Sequence, residues 1–184
     1  MIDIELPYRP VVAALRQLLD NLQERRELMG ELAGIMVRST ERNFADGGRP
    51  GRWADLHPGT KEGRRKQGTW PGQILVRSAG GLAASIQADW DNDQAVAGTN
   101  KAYAAIHQFG GTTRPHVIKP RYKRALAFGG VIVRQVNHPG SRIPARPFLA
   151  LTDGDQQDML DAAQDFVQGA LPPEVGGAGG SGLA

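Results

Sequence analysis

The hydrophobic period changes twice along this 184-residue chain, and those changes constrain its fold more than any other feature. Val11, Leu15, Leu18 and Leu22 recur at helical spacing, with Val12 and Leu19 widening the stripe. Pro10 suits a first helical turn, where its missing N–H costs nothing. A second helical stretch runs from about Glu24 to Arg42, with Leu28, Leu32, Ile35 and Met36 on one face. Gly30 and Gly34 weaken it by up to about 1 kcal/mol each relative to alanine, unless they allow close packing. Periodicity leaves open whether 11–42 is one bent helix or two. At the other end, Met159, Leu160, Ala163, Phe166 and Val167 form the inward stripe of a helix that stops near Gly169, before Pro172 and Pro173. Thr152 with Asp155 three residues on resembles a capping box, and acids at that end suit the helix dipole.

Between the helical ends the period falls to two. Ile86, Ala88 and Trp90 alternate with Ser85, Gln87 and Asp89 as a half-buried strand, Asp91-Asn92-Asp93 turns, and Gln94 to Gly98 returns. A short helical turn over Ala102 to Gln108 is expected to put Tyr103 and Ile106 inward. Ala125 to Phe128, Gly129-Gly130 and Val131 to Val136 read as a hairpin, because paired glycines supply the positive φ of a primed turn. Asn137 to Gly140 is a further turn.

From Phe44 to Gly72 no period is visible. This Gly/Pro-dense stretch carries Arg49, Arg52, Lys61, Arg64, Arg65 and Lys66, and reads as an irregular basic arm that orders against a partner. Trp53, Leu56 and Trp70 would be its apolar anchors. The alternative is a solvated excursion. The fold expected is α+β: one domain over 1–170, with N- and C-terminal helices packed on one face of a small antiparallel sheet. The Gly-rich segment 171–184 is expected to be a flexible tail.

Charge is distributed unevenly. No Asp or Glu occurs from Gln94 to Thr152, where Lys101, Arg114, Lys119, Arg121, Lys123, Arg124, Arg134, Arg142 and Arg146 lie. Asp153, Asp155, Asp158, Asp161, Asp165 and Glu174 follow with no basic residue. Such a chain either docks onto other charged surfaces, including its own copies, or neutralises the two blocks within one monomer.

The residues of common chemistries are absent or scattered. With no cysteine there are no disulfides, thiolate nucleophiles or Cys-based zinc sites. His57, His107, His116 and His138 show no metal-ligand spacing. Asp89, Asp91 and Asp93 begin like a calcium loop, but Gln94 and Asn100 stand where its Gly and Glu belong. No phosphate-loop pattern or GxSxG elbow occurs. No cofactor or metal is expected, and an enzyme is disfavoured; a hydrolase would have to use His107 or His116. No apolar run is long enough to span a membrane, and MIDIELPYRP has acids where a signal peptide carries basic residues. Synthesis in the cytoplasm is expected.

Four segments in series carry a resemblance: FADGGRPGRWADL (44–56), ILVRSAGGLAASI (74–86), VAGTNKAYAAIHQFGG (96–111) and IPARPFLALTD (143–153). Together with KRALAF and NHPG, they resemble the phage virion morphogenesis family, which includes tail completion proteins of contractile-tailed phages and Mu-like prophages. The resemblance covers about 1–170. It implies a non-catalytic virion protein of the tail or neck, acting in tail completion and head–tail joining. It also implies a homo-oligomeric ring, such as a hexamer, whose neighbours are tail-tube, terminator or connector proteins. The alternative is a neck or packaging factor that contacts DNA without reading sequence, since KEGRRK and the acid-free block could track phosphates. Expected interface residues are Arg49, Arg52, Trp53, Arg64, Arg65, Lys66, Trp70, Arg121, Lys123, Arg124 and Arg146. The motif residues Pro50, Gly51, Tyr103, His107, Phe109, Gly110, Gly111, Pro144, Pro147 and Phe148 read as structural. Within them, His107 is expected to pair with a backbone group and Arg146 to bond carbonyls or carboxylates.

Overall fold

The computed structural model describes residues 8–122, 124–128 and 131–170 of an α+β chain. Its elements run α1 (Tyr8–Gln23), α2 (Arg26–Asp46), α3 (Pro58–Lys66), a 3-10 turn (Ala83–Ser85), β1 (Ile86–Trp90), β2 (Ala95–Thr99) and α4 (Ala104–Phe109). There follow β3 (Gly111–Thr112), β4 (His116–Ile118), β5 (Leu126–Phe128), β6 (Val131–Val133), β7 (Val136–His138), β8 (Arg142–Ile143) and α5 (Asp153–Ala170). Where the sequence reading drew one domain over 1–170, the chain divides into two compact units. One comprises 1–39, 87–98 and 151–184; the other comprises 40–86 and 99–150. The expected tail at 171–184 lies outside the described residues.

The first unit is mainly helical and also includes most of the β1–β2 hairpin. The stretch 11–42 contains two helices, parted at Glu24 and Arg25. Asn92, in the turn after β1, holds the break: its amide donates to the Gln23 carbonyl at 2.6 Å and its side-chain oxygen accepts the Arg25 N–H at 2.6 Å. One asparagine thus caps the end of one helix and the approach to the next. Leu28 and Ile35 of α2 are buried with Ala162 of α5, and Met29, Leu32, Met159, Ala163 and Phe166 surround them. Gly30 permits close packing, because a Cβ there would lie 2.8 Å from Nε1 of Trp90. The capping box is reciprocal, with Thr152 N donating to Asp155 Oδ2 at 2.9 Å and Asp155 N donating to Thr152 Oγ1 at 3.3 Å. Asp155 is almost fully buried and also accepts the Ser39 hydroxyl at 2.7 Å.

The second unit packs Phe44, Trp53, Leu82, Ala104 and Phe148 into a core, flanked by Ile74, Leu75, Val76, Ala83 and Ile86. Phe44 stacks on Phe148 at 5.5 Å and meets Trp53 edge-on at 5.8 Å. The Pro-containing run before α5 belongs to no strand, so much of its backbone is satisfied by side chains. Asn43 donates to the carbonyls of Phe148 and Ala150, Trp53 Nε1 donates to Pro147 O, and Gln108 Oε1 accepts the Phe148 and Leu149 N–H groups.

The segment 44–72 is therefore not the irregular arm expected. It contains α3, whose first turn is capped by His57 Nδ1 accepting the Gly59 N–H at 3.1 Å, with Pro58 in the first turn. Its last turn, Arg64-Arg65-Lys66, complements the helix dipole. Nine residues rich in Gly and Arg show no apolar period, which is why the helix was invisible to pattern. The expected small sheet is also divided: the strands form four two-stranded ladders.

Three of those ladders are nested in one antiparallel ribbon. Gly111 pairs Ile143 and Thr112 pairs Arg142; His116, Val117 and Ile118 then pair His138, Asn137 and Val136 in the same register. Beyond this, Leu126, Ala127 and Phe128 pair Val133, Ile132 and Val131. The described residues 119–122, 124 and 125 thus oppose only two, 134–135, and form a large bulge on one strand. The hairpin expected over 125–136 is present, although Gly129 and Gly130 lie outside the described residues.

Candidate assembly interface

Three surfaces gather the polar and exposed apolar groups. The first is a cleft of about 520 Å³ in the second unit, lined in part by Leu56, Arg64, Leu75, Tyr103, His107 and Arg146. Two of the arginines that line it, Arg64 and Arg146, are buried and serve the fold. Arg64 reaches the carbonyls of Gln73 and Val76 at 3.1 and 2.7 Å, and Arg146 those of Ala54 and Asp55 at 2.9 and 3.2 Å. A guanidinium presents several donors in a fixed fork, so each arginine holds two backbone carbonyls at once. Burial lowers the pKa of Arg146, while the nearby Asp55 carboxylate opposes that shift.

His107 sits against this cleft with its ring 6.0 Å from that of Tyr103. Its Nδ1 is buried without a hydrogen-bond partner among the described residues, so the expected backbone pairing is not formed through that atom. Its carbonyl instead accepts the Arg146 N–H at 2.7 Å. Burial, and then the Arg146 charge, depress the imidazole pKa and keep the ring neutral. Among the described residues no group of three or more His, Asp or Glu side chains is placed to hold a metal ion. Asp91, from the calcium-like run, accepts the N–H groups of Asp93 and Gln94, which lower its pKa and make it a turn residue.

The second surface is the ribbon. All residues of β4 are exposed, and neither edge of the ribbon is paired with another strand among the described residues. Val117, Ile118, Val131 and Ile132 are open to solvent, Ile132 to 74%. The bulge carries Tyr122, 88% exposed, with the Arg121 guanidinium 5.4 Å from its ring. Arg114, Lys119, Arg121, Arg124, Arg134 and Arg142 are all exposed, and none has an ion pair among the described residues. Lys123 belongs to the bulge by sequence but lies outside the described residues. Lysine on a free strand edge commonly guards against stray pairing. Exposed Val, Ile and Tyr beside it do the opposite, which marks this as a contact surface.

The third surface, in the first unit, is a groove of about 710 Å³ formed by α1, α2 and α5. Leu28, Ala162 and Phe166 contribute its apolar lining, and Asp20, Glu24, Glu27, Glu31 and Asp165 its carboxylates. None of the five is ion-paired among the described residues. Leu15, Leu19, Leu160 and Val167 of α1 and α5 are also exposed, but they are not among the residues that line the groove. Of these acids the sequence pattern singles out only Asp165, within the acidic C-terminal block. Glu27 and Glu31, at i,i+4 on one helix face, were the signal available.

The remaining expected interface residues divide by burial. Trp53, Arg64 and Arg146 lie in the interior of their own unit, so they are corrected from partner anchors to internal supports. Arg49 is half-buried and bonds Asn43 Oδ1 at 2.9 Å; Trp70 is half-buried under Lys61 and Arg64. Arg65 and Lys66 are exposed and flank Glu62, while Arg52, Arg121 and Arg124 are exposed. Among the motif residues, Phe148 is fully buried, whereas Tyr103 is 47% and Phe109 78% exposed, against the inward position expected for Tyr103. Pro50 follows a cis peptide bond, Gly51 and Pro144 are exposed, and Gly110 and Gly111 both have positive φ.

An α+β chain with a free basic ribbon and its buried arginines committed to its own carbonyls can be compared with known proteins. The profile of the phage virion morphogenesis family matches residues 7–168, and the chain belongs to that family. It is 37% identical over 169 residues to the Mu-like prophage FluMu G protein 2 of Haemophilus influenzae, covering 91% of this chain and 97% of that one. It is 30% identical over 172 residues to the putative capsid assembly protein G of Escherichia phage Mu, covering 92% and 96%. No solved structure matches. The family gives the chain a structural or assembly role in a phage. No described helix is long and apolar enough to cross a membrane.

Proposed function

We propose that the chain is a structural, non-enzymatic component of the phage tail or neck, acting in tail completion and head–tail joining as a subunit of a homo-oligomeric ring. The observation that carries this reading is the ribbon: an acid-free strand pair with exposed valines and isoleucines whose edges and cations are unpaired among the described residues. Such a surface fits a macromolecular partner rather than a small substrate. The phage Mu relative, named as a putative capsid assembly protein, supports the assembly context. Synthesis in the host cytoplasm and residence in the virion follow from it.

The test is the mass of the purified protein, alone and with tail-tube, terminator and connector proteins. Association burying well above about 1,000 Å² is expected. A protein that stays monomeric and ignores all of these neighbours overturns the reading. The exposed cations also support a second reading, a neck factor that contacts packaged DNA. It requires duplex binding that falls steeply with salt, and absence of binding at low ionic strength eliminates it.

A further inference from the structure

We propose that the ribbon of one copy, residues 114–142, docks into the acid-lined groove between α1, α2 and α5 of the next copy. The proposal rests on the ring reading above and names the two surfaces that would form each contact. The ribbon and groove match in two respects. The ribbon offers six exposed cations, three of them in the bulge, with no acid among its residues; the groove offers five carboxylates with no cation among its lining residues. The ribbon also carries apolar groups that a single copy leaves open, Val117, Val131 and Ile132, and the groove has an apolar lining of Leu28, Ala162 and the half-buried Phe166.

Uncompensated like charge gathered in one groove is unfavourable, and a partner of opposite sign relieves it. Exposed apolar residues beside the charges supply the contact energy, while the charges select the partner and its orientation. DNA satisfies the ribbon's cations but leaves its valines and isoleucines, and the whole acidic groove, unexplained. A second copy answers both. Because ribbon and groove are different surfaces of the same chain, the contact is head-to-tail. Every copy therefore gives one ribbon and receives another, which generates a ring if the rotation closes.

The test uses charge exchange in the full-length chain. A ribbon variant carries Lys119→Glu, Arg121→Glu and Arg124→Glu; a groove variant carries Glu24→Lys, Glu27→Lys and Glu31→Lys. All six positions are exposed, so each variant should keep the native circular dichroism and melting profile. Masses are measured by light scattering across a concentration series. The native chain is expected to assemble, and each variant alone to associate at least tenfold more weakly. Mixing the two variants, or combining all six changes in one chain, should restore assembly, because each mismatch is then re-paired. Variants that associate like the native chain overturn the ribbon–groove contact and leave the ring reading standing. A native chain that is monomeric alone also overturns the contact; the ring reading falls with it only if the chain ignores its tail and head neighbours too. Loss of duplex binding in the ribbon variant with unchanged self-association overturns the contact in favour of DNA.

Discussion

At the scale of single residues, Gly140 and His107 show how little room the second unit leaves. Gly140 has φ +91°, and a Cβ there would lie 2.1 Å from the Thr113 carbonyl, beside the Thr113–Ser141 backbone bond. Gly140→Ala should therefore cost at least about 2 kcal/mol, read as a lower urea midpoint, since strain and a backbone collision act together. For His107 the sign follows from its depressed pKa. The unfolded chain takes up a proton near the ordinary value of about 6.5 while the folded chain still resists it. The stability that the neutral ring contributes is thus complete above that value and is lost as pH falls below it toward the folded pKa. Melting temperatures from pH 7.5 to 5 should fall in the native chain and fall less in His107→Gln. Asp155 anchors the first unit in the same individual way. Asp155→Ala removes the acceptor of Ser39 and of both Thr152 donors and should cost roughly 2–4 kcal/mol by urea denaturation.

Among the elements, legibility in sequence followed the strength of the local pattern. The α5 capping box, the β1–β2 hairpin and the helical character of 11–42 each rest on a period or a turn residue that a one-dimensional reading detects, whereas the break between α1 and α2 does not. The α3 helix does not, because its residues PGTKEGRRK have no apolar face and its stability comes from the His57 cap and from Arg64 bonded to carbonyls outside the helix. Trp53 and Arg146 misled for a related reason. Aromatic and arginine side chains look the same in sequence whether they meet a partner or their own chain. Their burial is decided by contacts with segments some ninety residues away, such as Trp53 with Pro147 and Arg146 with Ala54. The α1–α2 break offers a test at this scale. Asn92→Ala removes both bonds that hold it, so amides at the end of α1 and the start of α2 should exchange faster with solvent deuterium. Those of the second unit should be unchanged.

For the whole molecule, the basic block of the sequence corresponds to the ribbon, whereas the acidic block at 153–174 shares only Asp165 with the acidic groove. The basic block was legible because it is contiguous along the chain. The acidic groove was not, because its acids come from α1, α2, α5 and, in Glu24, the break between the first two helices, and meet only after folding. If these surfaces pair between copies, self-association should weaken as ionic strength rises from about 0.05 to 0.5 M, in sedimentation or light-scattering measurements. An interface built on apolar contact alone would hold or strengthen.

The ribbon also leaves and re-enters its unit at one point, since Gly111 faces Ile143 across the first ladder. Whatever lies between those two residues is an excursion whose ends are already joined. Its length and sequence can therefore change at a small entropic cost, about 0.6 kcal/mol for each doubling of a flexible loop, without disturbing the Phe44–Trp53–Phe148 core. Related phages could then diversify this cassette while keeping a common chassis. Grafting a relative's ribbon between these two positions would transfer its compatibility with that relative's particle.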